Sequence, residues 1–144
     1  MLRQMLTITT ILITASTVLA ENANDIIGIK ETARNYMESW YQGDAKKMKE
    51  SLHKKLAKRS LMPGYGDKKE LRLTSASDMI SYTKTGYGER LWEKGMEIEV
   101  IVLDYYKNIA SVKVITKDYY EYLHLIKTDK KWVILNAVYE KYSP

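Results

Sequence analysis

The C-terminal third of the chain has the hydrophobic pattern of a β-hairpin. Two runs rich in aromatic and β-branched residues within positions 119–139 flank a polar turn at Asp129 and Lys130. This arrangement predicts two antiparallel strands joined by a two-residue turn. The turn sets the register, which places these residues opposite each other: Leu125 and Ile134, Leu123 and Asn136, and His124 and Leu135. Neither face of the hairpin is plainly polar, so both faces are expected to be at least partly covered.

Two more strands are predicted before the hairpin, at residues 97–104 and 109–116, where the hydrophobic pattern again has a period of two. Tight turns near residues 107–108 and 117–118 would join all four strands into one antiparallel meander. The predicted core face consists of Ile101, Leu103, Val112, Val114, Leu123, Leu125, Trp132 and Ile134. Its polar members gather toward one end and are Glu99, Glu121 and Asn136. A slip of one residue in any turn would exchange the two faces of a strand.

The N-terminal half of the chain predicts three helices, at residues 25–41, 45–58 and 76–85. The first has one apolar stripe, formed by Ile26, Ile29, Ala33, Met37 and Trp40. Gly43 is expected to end this helix and Asp44 to cap the second. A Pro-Gly-rich breaker separates two short predicted strands, near residues 60–62 and 71–73. Helices first and strands last predict an α+β domain, with the helices laid across one face of a curved antiparallel sheet.

The first twenty residues have the pattern of a secretory signal peptide. Arg3 gives a positive start, residues 5–19 are mostly apolar and uncharged, and Val18 and Ala20 are small. We therefore expect cleavage after Ala20, which would leave a single domain of residues 21–144 in the periplasm or outside the cell, without a membrane anchor. The alternative is an uncleaved anchor, although the apolar run is short and rich in Thr for a membrane span.

Composition and charge narrow the possible functions. The chain has no cysteine and only His53 and His124 as histidines, which excludes thiol catalysis and cysteine- or histidine-rich metal sites. No phosphate-binding loop or metal spacing is present, so neither a cofactor nor a metal is predicted. The net charge is +5, and residues 46–72 contain ten Lys or Arg against three Asp or Glu. This basic region is either a solvated surface or a docking site for an acidic partner. Nucleic acid is not an expected partner of an exported protein.

Both ends of the mature chain resemble one family. Residues 36–59, YMESWYQGDAKKMKESLHKKLAKR, and residues 118–139, with D-Y-x-x-Y-L-H-L followed by W-x-I-x-N, are similar to the putative lumazine-binding family of the nuclear transport factor two-like superfamily. The chain departs from the family at Lys54, where proline is usual, and at Lys130, where glycine is usual. The resemblance implies a cone-shaped fold with a pocket between helices and sheet, and pairing of two copies through their sheets. The superfamily includes both enzymes and non-catalytic binding modules.

Three side chains are candidates for acid–base catalysis. His53 is a candidate base because imidazole is the side chain best suited to acid–base chemistry near neutral pH, but a helix-terminal histidine can equally serve to bind carbonyl groups. Glu99 and Glu121 would be pocket carboxylates if the predicted register holds and surface charges if it slips. His124 is expected to pack among aromatic residues on the outer face. An isomerase- or dehydratase-like enzyme using one of these groups is therefore an alternative function, and a protein-interaction module with a basic helix over residues 46–59 is another.

The preferred hypothesis is a non-catalytic domain that binds a small aromatic ligand. The chain has twelve tyrosines and no phenylalanine, and tyrosine combines a ring for stacking with a hydroxyl for hydrogen bonding. The predicted ligand-binding residues are Tyr36, Trp40, Tyr82, Tyr87, Glu121, Trp132 and Asn136. A homodimer is expected to form through the sheet face that carries Tyr122 and His124.

Overall fold

The computed structural model describes residues 23–142. Helix α1 covers residues 23–42, and its fully buried stripe contains Ile29, Ala33, Tyr36 and Met37. These positions are spaced by four, three and one residues and so lie on one face of a helix. The helix ends at Gly43, whose φ of 66° is in the left-handed region that favours glycine. The predicted first helix is thus confirmed, and it extends one residue beyond its predicted C-terminal end at residue 41.

The second predicted helix is only half helical. Helix α2 covers Ala45–Ser51, with Asp44 as its N-cap, and strand β1 follows directly at Leu52–Pro63. The prediction of a helix to residue 58 was wrong because Met48, Leu52 and Leu56 satisfy helical spacing, yet Leu52 and Leu56 are buried equally well in this bulged strand. Tertiary pairing with other strands decides the conformation here.

Five more strands and two short helices complete the described chain. In order they are β2 at Lys69–Ser75, α3 at Ala76–Lys84, a 3₁₀ turn at Glu89–Leu91, β3 at Glu99–Tyr106, β4 at Ile109–Ile115, β5 at Tyr119–Thr128 and β6 at Lys131–Lys141. Ser75 caps α3, and its side chain and that of Asp78 form a reciprocal capping box. The predicted third helix and the two short strands that flank the breaker are confirmed.

All six strands form one curved, unclosed sheet in the order β2-β1-β6-β5-β4-β3. Neighbouring strands are antiparallel except for β1 and β6, which are parallel. The last strand therefore lies in the middle of the sheet, between β1 and β5.

Two β-bulges correct the predicted register. The pair Leu125–Ile134 is confirmed, but the ladder shifts after it, so that Leu123 opposes Ala137 and His124 opposes Asn136. The extra residue in β6 is Leu135. Pairing of β4 with β5 is as predicted, with Val112 opposite Leu123. In the β3–β4 hairpin the second bulge shifts the ladder between Val102 and Asp104, because a bulge places two residues of one strand opposite one residue of its partner.

The helices cover one face of the sheet and form the core with it. The sheet contributes Val112, Val114, Leu123, Leu125, Trp132 and Ile134, all of which were predicted as core residues. Ile101 and Leu103 were also predicted to lie in the core. They do not, because the bulge turns Val100 and Val102 toward the core instead. Leu103 is 49% exposed.

The predicted signal peptide and its cleavage site lie outside the described residues. Among residues 23–142, no helix combines the length and hydrophobicity needed to cross a membrane.

Candidate functional site

A cavity of about 510 Å³ lies between helices α1 and α3 and the sheet. Its walls come from α1, α3, the loop after α3, and the sheet strands β1, β2, β5 and β6. The volume is in the range of small-molecule sites, about 300–1,000 Å³. Most of the lining area is apolar and aromatic, with rings from Tyr36, Trp40, Tyr82, Tyr87, Tyr119 and Tyr139.

The inner wall of the cavity holds a buried polar triad of Lys58, Glu121 and Tyr36. Lys58 Nζ lies 2.8 Å from Glu121 Oε1, and the Tyr36 hydroxyl donates to Glu121 Oε2 at 3.0 Å. Lys58 also donates to the Tyr36 hydroxyl oxygen. The three residues are 6%, 1% and 1% exposed, respectively. Both carboxylate oxygens are therefore engaged by donors, which is the condition for burying a charge pair without a large penalty.

Aromatic rings surround the Lys58 ammonium group. Its Nζ lies 4.1 Å from the centroid of the Tyr139 ring and 5.1 Å from that of Tyr36. A cation over the face of an aromatic ring is stabilised by the ring quadrupole. Burial raises the pKa of Tyr36 well above its usual value, and the negative charge of Glu121 raises it further. Tyr36 is thus a neutral hydrogen-bond donor at physiological pH.

Two polar atoms in the cavity wall lack a hydrogen-bond partner within residues 23–142. They are Ser60 Oγ and Trp40 Nε1, and both residues are at least nine-tenths buried. Burial raises the pKa of Tyr119, and the neighbouring Trp40 indole N–H opposes part of this increase. The two groups nevertheless lack the geometry of a hydrogen bond. Buried polar groups are normally paired. An unpaired donor and an unpaired hydroxyl in two residues that line a cavity therefore favour a polar ligand there.

The loop after α3 holds Trp40 in place. Its ring contacts that of Tyr87, with centroids 5.7 Å apart. A Cβ atom at Gly88 would lie 2.2 Å from the Trp40 carbonyl oxygen, so only glycine fits at this close approach. Tyr87 and Gly88 of this loop thus fix one wall of the cavity.

The structure brings together most of the residues predicted to bind a ligand. Lining the cavity are Tyr36, Trp40, Tyr82, Tyr87 and Glu121. Trp132 does not line it and instead packs under the N-terminal part of α1. The Trp132 indole N–H donates to Asp25 Oδ1 at 3.1 Å, and the Thr32 hydroxyl donates to the Trp132 carbonyl at 2.9 Å. Trp132 therefore ties the sheet to α1 and is not a pocket residue.

Asn136 and Glu99 also lie outside the cavity. The bulge at Leu135 turns Asn136 to the outer face of the sheet, where it lies in a groove beside His124. Glu99 is exposed and borders a shallow depression near Lys117. Their predicted inward orientation assumed a ladder without bulges.

His53 is not placed as predicted. It lies on β1, half-buried, and its Nδ1 accepts a hydrogen bond from the backbone N–H of Lys55 at 3.1 Å. It is outside the cavity, and so among the three catalytic candidates only Glu121 lines it. The predicted basic helix over residues 46–59 is likewise divided between α2 and β1, and one of its lysines, Lys58, is buried.

Several cavity residues were missed from the sequence. Lys58 and Ser60 alternate along β1, and Tyr119 and Tyr139 lie on β5 and β6. In β1 the neighbours of Lys58 are Ala57 and Arg59, so hydrophobicity does not mark the buried face. The hydrophobic pattern with a period of two placed Tyr119 and Tyr139 in the predicted hairpin, but neither residue was predicted to line the pocket. Within residues 23–142, no three acidic or histidine side chains are grouped so as to hold a metal ion.

Solved structures with the same fold are numerous but distant in sequence. A nuclear transport factor two-like protein of unknown function from Methylobacillus flagellatus aligns with a TM-score of 0.66 and 22% identity, over 83% of this chain and 94% of that one. A nuclear transport factor two-like protein of unknown function from Silicibacter pomeroyi aligns with a TM-score of 0.64 and 15% identity, over 84% of this chain and 98% of that one. A ketosteroid isomerase-like protein from Erwinia carotovora atroseptica aligns with a TM-score of 0.57 and 16% identity, over 81% of this chain and 95% of that one. At these identities the likeness shows the fold alone.

The sequence comparison identifies the family. No curated protein matches the chain. The family described as "Putative lumazine-binding" matches residues 24–140, nearly the whole of the described structure. The chain therefore has the nuclear transport factor two-like α+β fold and belongs to the putative lumazine-binding family.

Proposed function

We propose that this protein binds a small planar heterocycle in the cavity between the helices and the sheet and does not catalyse a reaction on it. The observation that carries the proposal is the pair of unsatisfied polar atoms, Ser60 Oγ and Trp40 Nε1, in an otherwise aromatic cavity. A heterocycle offers flat faces to the tyrosine and tryptophan rings and edge atoms to these two groups. The family description supports the same ligand class.

The hydrogen bonding of Glu121 favours binding over catalysis. A general base needs a free lone pair directed at the substrate. In this cavity each carboxylate oxygen of Glu121 already accepts one hydrogen bond, from Lys58 or from Tyr36. Glu121 is also only 1% exposed, so its remaining lone pairs have little access to a substrate. We infer that the triad shapes and polarises the inner wall of the site.

An isomerase- or dehydratase-like enzyme is the second candidate, because Glu121 is a buried carboxylate that lines a cavity of substrate size. In that case Glu121 would give up the hydrogen bond from Tyr36 and use the freed carboxylate oxygen to accept a proton from the substrate. Glu121→Gln would then abolish turnover of a ligand found to react, whereas the binding proposal predicts no turnover by the wild-type protein at all.

Two further parts of the proposal concern location and assembly. We propose that the protein is exported after removal of residues 1–20, from the leader pattern in its sequence. We also propose a homodimer through the outer sheet face, where Tyr122 and Val138 oppose each other across β5 and β6 and are about half exposed. Light scattering on the purified protein tests the second part, and a monomeric mass at micromolar concentration would contradict it.

Native mass spectrometry on protein isolated from its producing cells, without refolding, tests the binding function. A mass increment of a few hundred daltons that disappears on denaturation would support it and would identify the ligand. Thermal shift assays with lumazines at saturating concentration provide the second measurement. The expected result is an increase in Tm that Trp40→Ala and Ser60→Ala reduce, with Ser39→Ala as the control outside the cavity. No shift with any heterocycle would exclude this ligand class.

A further inference from the structure

The mouth of the cavity carries a group of basic side chains. Lys69, Arg72 and Lys141 line this part of the cavity, and none of them forms a salt bridge within residues 23–142. The facing carboxylate is that of Glu140. Glu121 lies at the inner wall and is already paired with Lys58. The charge of Arg72 also acts on the exposed carboxylate of Asp78. The mouth therefore carries three cations, Lys69, Arg72 and Lys141, with Glu140 and Asp78 as the nearby carboxylates, which leaves a net positive charge.

The sheet topology concentrates these cations at one end. Strands β1 and β6 are parallel, so both terminate at the same end of the sheet, at Pro63 and Lys141. Strand β2 is antiparallel to β1 and begins at that end, with Lys69 opposite Pro63. The two strands on either side of β1 thus supply the basic residues of the opening, Lys69 and Arg72 from β2 and Lys141 from β6.

Arg72 is the cation closest to the unsatisfied part of the cavity. It lies directly opposite Ser60 in the β1–β2 ladder, and side chains of such directly opposed residues lie on one face about 5 Å apart. Its guanidinium carbon is 6.0 Å from the centroid of the Tyr82 ring, and its Nη2 donates to the Tyr82 hydroxyl at 3.4 Å. Arg72 is thus held against a cavity wall with donors remaining for a ligand.

We propose that the ligand of this site is an aromatic anion, whose ring lies among the tyrosines while its carboxylate or an equivalent anionic group binds Arg72, with Lys69 and Lys141 beside it. The inference rests on the proposed binding function and adds the charge of the ligand to it. A planar guanidinium binds a carboxylate with two parallel hydrogen bonds, and nearby lysines add attraction that salt weakens.

A matched pair of probes tests this inference. We use 2-naphthoate and 2-naphthamide, which share a ring and differ in charge, and titrate each into the purified protein by calorimetry and Trp fluorescence. We expect 2-naphthoate to bind about tenfold more tightly than the amide at low ionic strength, with the difference shrinking as salt is added. Arg72→Gln should remove most of this preference, because it should weaken 2-naphthoate by about tenfold and the amide much less.

The chain offers a control on the same strand as Lys141. Lys131 is exposed, lies at the opposite end of β6 and does not line the cavity, so Lys131→Gln should leave both affinities unchanged, whereas Lys141→Gln should weaken 2-naphthoate alone. Equal binding of the two probes by the wild-type protein would overturn the inference and leave the binding function standing. If neither probe binds, the inference fails, and binding of lumazines then decides the proposed function separately.

Discussion

Two clusters of similar composition join α1 to the sheet, one at each end of the helix. In the cavity cluster, Tyr36 of α1 meets Lys58 and Glu121 from two strands. In the clamp cluster, Asp25 of α1 meets Lys127 and Trp132, with Oδ1 lying 2.6 Å from Lys127 Nζ. Each cluster contains one lysine, one carboxylate and one aromatic donor.

The two clusters differ in their surroundings. The side chains of Lys127 and Asp25 are 21% and 12% exposed. Neither residue lines the cavity, the depression near Lys117 or the groove beside His124. The side chains of Lys58 and Glu121 are 7% and 2% exposed and line the largest cavity described here. The comparison teaches that the residue types of a cluster do not reveal a binding site. The proposal of a binding site rests instead on the unfilled volume and on the unpaired polar atoms in its lining residues.

The largest expected effect comes from breaking the ion pair of the cavity cluster. Glu121→Leu leaves the Lys58 charge buried without a partner, and Lys58→Met does the same to Glu121. Each should lower the free energy of unfolding by about 3–5 kcal/mol in urea denaturation. The double variant should be more stable than either single variant, because no buried charge remains. If the single variants unfold like the wild type, the pair is not buried in solution.

Breaking the clamp cluster should cost less. Asp25→Ala leaves the Trp132 N–H without its acceptor and Lys127 without its counterion, in a partly solvated setting. We expect a loss of about 2 kcal/mol in the same urea measurement and no change in ligand affinity. A loss of affinity comparable to that of the cavity variants would show that the two clusters are coupled.

Alkaline pH should act on the cavity cluster through Tyr36. The pKa of Tyr36 is raised in the folded protein, so the unfolded chain loses its Tyr36 proton first as the pH rises through the ordinary tyrosine value of about 10. Stability from this group is complete below that pH and falls above it, by about 1.4 kcal/mol per pH unit until the raised pKa is reached. Tyr41 and Tyr119, whose pKa values are also raised, add to the decline.

Tyr36→Phe isolates the contribution of Tyr36 to this decline. Denaturation between pH 9 and 11 should show a slope smaller by one proton in Tyr36→Phe than in the wild type. Trp132 of the clamp cluster has no titrating group, so Trp132→Phe should retain the wild-type slope. Identical slopes in the wild type and Tyr36→Phe would mean that Tyr36 ionises normally in the folded state.

The smallest expected effect on stability concerns the unpaired hydroxyl. Ser60→Ala removes a buried group that has no partner, so the free energy of unfolding should stay the same or rise by up to about 1 kcal/mol. Ser39 is equally buried, but its hydroxyl donates to the Tyr36 carbonyl at 2.8 Å, and Ser39→Ala should lower stability by about 1 kcal/mol. Equal losses for both variants would indicate that Ser60 has a partner in the folded protein.

The period of hydrophobic residues was enough to predict the α+β class and most of the sheet core. Val112, Val114, Leu123 and Leu125 follow a strict alternation between two tight turns, and their burial was predicted correctly. The errors begin where a strand has an extra residue, at Leu135. A bulge depends on how two strands fit together in space, and neither strand alone shows it.

The cavity was predicted only in part for a related reason. Tyr36 and Glu121 were found because each lies on a regular element with a clear periodicity. Lys58 was not, because residues 54–59 are rich in lysine and arginine, and local sequence does not distinguish the one buried lysine from its exposed neighbours. Its partner Glu121 is 63 residues away in the chain.

The central position of β6 has a consequence for the order of events in folding. This strand follows the other five along the chain, yet it joins the β1–β2 pair to the β5-β4-β3 meander. Until its eleven residues emerge, the two halves of the sheet have no shared edge and α1 has no complete surface to cover. Contacts between distant parts of a chain form slowly. The complete sheet should therefore form only after all six strands have been synthesised, and the earlier strands wait for the sixth.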